Sequence, residues 1–223
     1  MSKIIVTGSE GLLGKEITKH LKFIGHDVQC FSRSLGHDLT DESSVKSIFQ
    51  DYNADYLVNL FALNDSVVVD RSYDTMFDIS LESVSRYLGV NLVSLFSVCR
   101  EFAKNNMTGG IVNFSSIYGM KSPDPEMYNG HKHVGYCISK AGVINLTKYL
   151  AVHLAPNFNV NCISPGGVIY DQPDDFVDMY SKKTLIGRML FPYELNDLVS
   201  FLCSDKSSCV TGQNFVVDGG YTL

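Results

Sequence analysis

The 223-residue chain has no tryptophan, only six prolines and no block of Lys or Arg. Its 18 basic and 24 acidic side chains give a net charge of −6 spread along the sequence, which argues against nucleic acid or an anionic membrane as partner. The longest early apolar run, residues 3–6, stops at Thr7-Gly8 and is too short for a signal peptide or a membrane span, so a cytoplasmic location is expected. Six cysteines are scattered without a C-x-x-C pair, and no histidines cluster at metal-ligand spacing. Buried reduced thiols and no metal site are therefore expected. Repeats, low-complexity tracts and linkers are also missing, which leaves no boundary to place and suggests one domain over residues 1–223.

What is present is 45% hydrophobic content arranged in alternating patterns. Short β-branched or aromatic runs bounded by turn residues predict strands at 3–8, 27–31, 54–62, 109–116, 158–167 and 215–220. Between them, apolar residues at helical spacing predict helices at 12–24, 41–51, 81–105, 135–154 and 192–204. Strands that alternate with helices imply parallel βαβ units: an α/β fold whose doubly wound parallel sheet carries helices on both faces. Ligands of such sheets lie beyond the carboxyl ends of the strands.

The stretch TGSEGLLG (7–14) follows the first strand and opens the first helix. Gly8, Gly11 and Gly14 allow a tight turn, a close backbone approach to a pyrophosphate and helix-on-strand packing, while the helix start offers free N–H donors. After the second strand the sequence reads Phe31-Ser32-Arg33-Ser34. No carboxylate stands there to take a ribose 2′-hydroxyl, and Arg33 can fork onto a 2′-phosphate, so NADP(H) is favoured with NAD(H) as the alternative. Glu10, inside the glycine loop, opposes that phosphate. Asp38 suits either an adenine amino group or a helix cap.

Two Tyr-x-x-x-Lys pairs occur, Tyr128/Lys132 and Tyr136/Lys140. An i, i+4 pair shares a face only on a continuous helix. Tyr136 is followed by a proline-free helical pattern up to Pro156, whereas Tyr128 follows Pro123 and Pro125 and has Gly130 inside its interval. The second pair is assigned to chemistry and the first is read as a loop decoy.

Taken in order, TGSEGLLG, DLTD (38–41), LVNLFA (57–62), GVNLVSLF (89–96), GGIVNFSS (109–116), YCISKAG (136–142), NVNCISPGG (159–167) and VTGQNFVVDGG (210–220) resemble the short-chain dehydrogenase/reductase family along essentially the whole chain. The resemblance implies a single Rossmann domain that is a homodimer or homotetramer. It further implies hydride transfer between a nicotinamide and a carbonyl or secondary alcohol. In it, Tyr136 is the general acid/base, Lys140 the phenol activator and ribose anchor, Ser116 the donor to the substrate oxygen, and Asn91 the prop of a proton relay. Coenzyme contacts are implied for Gly8, Ser9, Gly11, Leu12, Leu13, Arg33, Asp38, Leu39, Phe61, Ala62, Tyr136, Lys140, Pro165, Gly166 and Val168.

Some residues depart from the family pattern. Asn59-Leu60-Phe61-Ala62 replaces the usual Asn-Asn-Ala-Gly, Tyr170 stands where a threonine is usual, and SLGH (34–37) leaves no room for a helix between the second and third strands. The segment 121–133 reads as an insertion carrying Lys121, His131, Lys132 and His133, and YDQPDDF (170–176) as the start of a loop over the substrate. Cations facing the pocket would suit a sugar phosphate, nucleotide sugar or acidic sugar, and the insertion is similar to that of members acting in bacterial surface-sugar and nonulosonate pathways. A catalytically idle NADP(H)-binding sensor or partner subunit is the alternative from another class. The glycine spacing also resembles the epimerase and dehydratase branch, for which the chain is short.

Overall fold

The structure is a computed structural model that describes residues 1–64, 75–128 and 131–223; Gly130, invoked above against the first Tyr/Lys pair, lies outside the described residues. Six strands form one wholly parallel sheet: β1 (Lys3–Thr7), β2 (Asp27–Phe31), β3 (Tyr56–Asn59), β4 (Gly109–Phe114), β5 (Phe158–Pro165) and β6 (Asn214–Val217), in the order β2-β1-β3-β4-β5-β6. This is a single-domain α/β Rossmann-like fold. Consecutive residues of each strand feed opposite faces, as strand geometry requires. Ile5, Leu57 and Ile111 join one core, and Ile4, Val6, Val58 and Val112 join the other.

The first core is covered by α2 (Glu42–Asp51), α4 (Ser94–Asn105) and α5 (Val134–Leu154), through residues such as Phe49, Phe102 and Val143. The second is covered by α1 (Leu12–Phe23) and α7 (Asn196–Leu202), through Ile17, Leu21 and Val199. Burial on both faces explains why the strands read as continuous apolar runs rather than alternating ones.

The chain runs from β1 to β2 on one side and then returns past β1 to β3, so the connections diverge between β1 and β3. A crevice opens at such a switch point, at the carboxyl ends. Those ends are tied by a buried hydrogen-bond chain across three strands. Thr7 Oγ1 donates to Asn59 Oδ1 (2.8 Å), Asn59 Nδ2 to Asn113 Oδ1 (2.9 Å), and Asn113 Nδ2 to Thr147 Oγ1 on α5 (3.1 Å).

Several boundaries differ from the sequence reading. The expected helix 81–105 is interrupted: α3 (Leu81–Leu88) passes into a π turn, Gly89–Val93, before α4. The expected helix 192–204 opens with a 3-10 turn, Pro192–Leu195, with Pro192 at its first position, where the missing N–H costs nothing. α6 (Asp174–Ser181) lies where a loop was expected, burying Phe176 and Tyr180 from i, i+4 positions. The expectation that SLGH excludes a helix between the second and third strands is not met: a 3-10 turn, Arg33–Leu35, runs into SLGH itself, and α2 follows it and joins β2 to β3. The six cysteines are free thiols. Among the described residues no helix is long and apolar enough to cross a membrane, and no His/Cys/Asp/Glu group is placed to hold a metal.

Candidate active site

The glycine loop leaves β1 at its carboxyl end. Gly8 has φ +70°, and a Cβ there would stand 2.3 Å from Phe61 N; a Cβ on Gly14 would stand 2.1 Å from Gly8 O. Neither position has room for a side chain, so the loop folds tightly against the chain leaving β3. α1 starts from Gly11, which gives no side-chain cap, so its first N–H groups remain available. Beside them Ser9 is buried and its Oγ has no partner among the described residues. Uncapped donors plus an orphaned buried hydroxyl fit the pyrophosphate of a dinucleotide.

A cavity of about 560 Å3 runs from this helix start to the far ends of β4 and β5. From the sequence-assigned set it gathers Gly11, Leu12, Leu13 and Ala62 at one end. Ser116, Tyr136, Lys140, Pro165, Gly166 and Val168 gather at the other. Gly8 and Ser9 lie behind its wall, and Phe61 packs against the core, touching the loop through its backbone. The Leu39 side chain packs in the first core and does not line the cavity. Arg33 and Asp38 are exposed outside the cavity. The Asp38 carboxylate accepts from Thr40 N–H (2.9 Å) and Thr40 Oγ1 (2.7 Å), and these bonds, ahead of Arg33, hold it below the usual carboxylate range. The helix cap proper belongs to Asp41, which accepts from Ser43 and Ser44 N–H.

α5 carries Tyr136 and Lys140 on one buried face. The helix begins at His133, whose Nδ1 accepts from Gly135 N–H (3.0 Å), and its ring stacks on Tyr87. Tyr136 and Lys140 sit one turn apart, with the Lys140 ammonium 5.8 Å from the Tyr136 ring centroid. Burial pushes the phenol up to about 12, opposed by its hydrogen bond with Ser116. Burial brings the Lys140 ammonium down to about 8, where Nζ donates to Phe114 C=O (2.9 Å). Both serines line the cavity, and their hydroxyls differ in partner: Ser115 Oγ fastens α5 by donating to Lys140 C=O (2.7 Å), whereas Ser116 is hydrogen-bonded with Tyr136.

Asn91 reaches its place through the π turn, which shifts the helix register by one residue at that point. Its Oδ1 accepts from Leu63 N–H (2.6 Å), and Nδ2 donates to Leu63 C=O (3.0 Å) and Ser139 Oγ (3.0 Å). It thus splints the chain after β3 to the helix of Tyr136 and Lys140, and lies behind the cavity wall.

The first Tyr/Lys pair is off-helix, as expected: Tyr128 ends a 3-10 turn, Pro125–Tyr128. Both members of the pair nonetheless stand in the cavity wall. Tyr128 Oη is hydrogen-bonded to Tyr118 Oη (2.7 Å), and Lys132 Nζ sits 4.9 Å above the Tyr136 ring and donates to Asn64 Oδ1 (2.6 Å). Of the four basic side chains in this segment only Lys132 lines the cavity. Lys121 packs on the Tyr221 ring, and His133 is the helix cap. Gln172 and Phe176, from the segment YDQPDDF expected over the substrate, stand in the wall, and Tyr180, which the sequence did not single out, stands with them. The i, i+4 spacing of Phe176 and Tyr180 was the available signal.

Residues 7–222 match the family described as enoyl-(acyl carrier protein) reductase. The chain belongs to the short-chain dehydrogenase/reductase family. The match joins the glycine loop, the Ser116–Tyr136–Lys140 cluster and the C-terminal strand in one family alignment. This short-chain dehydrogenase/reductase is 30% identical over 239 residues to a 3-oxoacyl-[acyl-carrier-protein] reductase of Rickettsia bellii, covering 98% of this chain and 96% of that one. It is also 30% identical over 200 residues to the post-translational flagellin modification protein A of Campylobacter coli, covering 85% and 78%. Its fold superposes on a short-chain dehydrogenase of Leptospira borgpetersenii solved with bound NAD+, with TM-score 0.89, 31% identity and coverage of 99% and 92%. As a family member it is an NAD(P)-dependent oxidoreductase.

Proposed function

We propose that this enzyme interconverts a carbonyl and a secondary alcohol on a small hydroxylated substrate, with Tyr136 as general acid/base. The observation that carries this reading is the buried Tyr136–Lys140 pair, beside Ser116, in a cavity that also reaches the uncapped start of α1. The nicotinamide coenzyme, when bound, gives or takes the hydride. Ser116 donates a hydrogen bond to the substrate oxygen, and Tyr136 delivers its proton there during reduction. A phenol that burial keeps protonated suits the acid role, and the Lys140 ammonium stabilises the phenolate left behind.

Support for NADP(H) comes from the end of β2, where Arg33 follows Ser32 without a carboxylate, and NAD(H) remains the competing coenzyme. Support for an acidic or phosphorylated sugar derivative comes from Lys132 in the wall together with the flat faces of Tyr118, Tyr128 and Phe176. The similarity to a flagellin modification protein points the same way. The reading extends to a single coenzyme-binding domain over 1–223, working in the cytoplasm as a homodimer or homotetramer.

The test is NADPH and NADH oxidation over a panel of keto-sugars and aldehydes, with and without carboxylate or phosphate. The reading expects turnover of an anionic keto-sugar and an NADPH preference that falls in Arg33→Ala. Tight coenzyme binding with no turnover of any carbonyl would replace it with the idle-sensor reading.

A further inference from the structure

Beyond β5 the chain runs along the cavity as Gly166-Gly167-Val168, held by backbone bonds from Leu190 N–H to Gly167 C=O (2.9 Å) and from Ile169 N–H to Leu190 C=O (2.8 Å). Gly167 N–H donates to Tyr180 Oη (2.5 Å). The next turn is closed by one side chain: Gln172 Nε2 donates to Val168 C=O (2.9 Å), and Gln172 Oε1 accepts from Tyr170 N–H (2.8 Å). The amide of Gln172 thus spends a donor and an acceptor on the backbone of 168–170, from a position in the cavity wall. Val168 N–H has no partner among the described residues. Position 170 carries Tyr, 75% exposed, whose hydroxyl sits at the far end of a ring. A short hydroxyl side chain that could steady this turn is therefore lacking.

We infer that Gln172 is a coenzyme-positioning residue: its side-chain amide fixes the Val168–Tyr170 turn so that the N–H and C=O of Val168 stand ready for a carboxamide. The inference rests on the dinucleotide reading above. A primary carboxamide offers one acceptor and two donors, the complement of a backbone N–H and C=O on one residue, and a carbonyl oxygen has two lone pairs. Val168 C=O can thus keep Gln172 and take a second donor. Without the Gln172 brace, the turn must be ordered when the coenzyme binds, and that ordering is charged against affinity.

The test compares wild type with Gln172→Met, which keeps the volume and loses both bonds, and Gln172→Glu, which keeps the acceptor for Tyr170 N–H and loses the donor to Val168. Each protein is titrated calorimetrically with NADPH, NADH, 2′-phospho-ADP-ribose and ADP-ribose, the last two lacking the nicotinamide. Both variants are expected to bind the full coenzymes roughly 3- to 10-fold more weakly, the size of one net hydrogen bond, and the fragments within about twofold of wild type. Unchanged coenzyme affinity, or equal loss on fragment and coenzyme, would make Gln172 only a loop staple and overturn the inference. Tighter coenzyme binding would also overturn it, by showing that the amide competes for Val168. Failure of wild type to bind any of the four would instead remove the dinucleotide reading, a result distinct from wild-type binding that the variants leave unmoved.

Discussion

Replacing Gly8 by alanine asks the glycine loop to hold a side chain where it has no room. Two costs separate cleanly. The first is conformational, since Gly8 has φ +70°, and an L-residue in the left-handed region costs about 1–2 kcal/mol. The second is steric: the new Cβ would stand 2.3 Å from Phe61 N and 2.6 Å from Leu60 C, backbone that cannot rotate away, and overpacking of this kind adds about 1–3 kcal/mol. Gly25 supplies the control for the first cost alone, because its φ is +94° with nothing within 4 Å, in the turn before β2 and away from the carboxyl ends. Gly25→Ala should lower stability by about 1–2 kcal/mol, or about 2–8 °C in Tm for a domain of this size, and leave coenzyme affinity unchanged. Gly8→Ala should lose more than Gly25→Ala by about 1–3 kcal/mol and should lose coenzyme binding, because the loop can relax only by leaving α1. Thermal unfolding and calorimetric titration with NADPH read both effects. Equal Tm values for the two variants, or wild-type affinity in Gly8→Ala, would refute the reasoning.

Other outcomes follow from the hydrogen bonds and charges around α5. Asn91→Ala removes three bonds and strands the Leu63 N–H and C=O, so it should cost about 2–4 kcal/mol by urea unfolding, where no loss would show that water replaces the side chain. Lys140 sits at about 8 in the folded chain, below its ordinary value near 10.5, so the unfolded chain binds its proton more tightly. The burial penalty is full below pH 8 and is relieved as pH rises from about 8 to 10.5; the Tm difference between Lys140→Met and wild type, with the variant higher below pH 8, should shrink across that window. A difference flat in pH would place Lys140 in solvent. Asn59→Ala leaves Thr7 Oγ1 only its long bond to Val58 C=O (3.5 Å) and Asn113 Oδ1 only the Cys99 thiol (3.6 Å) in the sheet interior, and should cost about 1–3 kcal/mol in the same unfolding assay.

The strands, their order along the chain and the helical setting of Tyr136 and Lys140 were legible because they depend on local pattern. β-branched runs ending in Gly mark the strands, and only the second Tyr/Lys pair lies within a proline-free helical period. Three features were not legible, and each depends on tertiary packing. The π turn at Gly89–Val93 sets Asn91 against Leu63 and Ser139, contacts far along the chain that no local signal announces. Leu39 stands among polar neighbours in HDLTD, with no apolar period to mark it, yet its side chain is buried in the first core. Tyr128 and Lys132 lack helical continuity, yet both stand in the cavity wall, Tyr128 at the end of the 3-10 turn Pro125–Tyr128.

The central claim is that one phenol, Tyr136, moves the proton. The most direct measurement is kcat/KM of Tyr136→Phe and Tyr128→Phe against wild type, on whichever carbonyl the panel shows to be reduced. Loss of a positioned general acid should lower the Tyr136→Phe value about 10²- to 10⁴-fold, equivalent to about 3–5 kcal/mol of barrier. Tyr128→Phe gives up only the bond to Tyr118 and should stay within about tenfold of wild type. A Tyr136→Phe enzyme that keeps its rate, or a Tyr128→Phe enzyme that loses as much, would contradict the account.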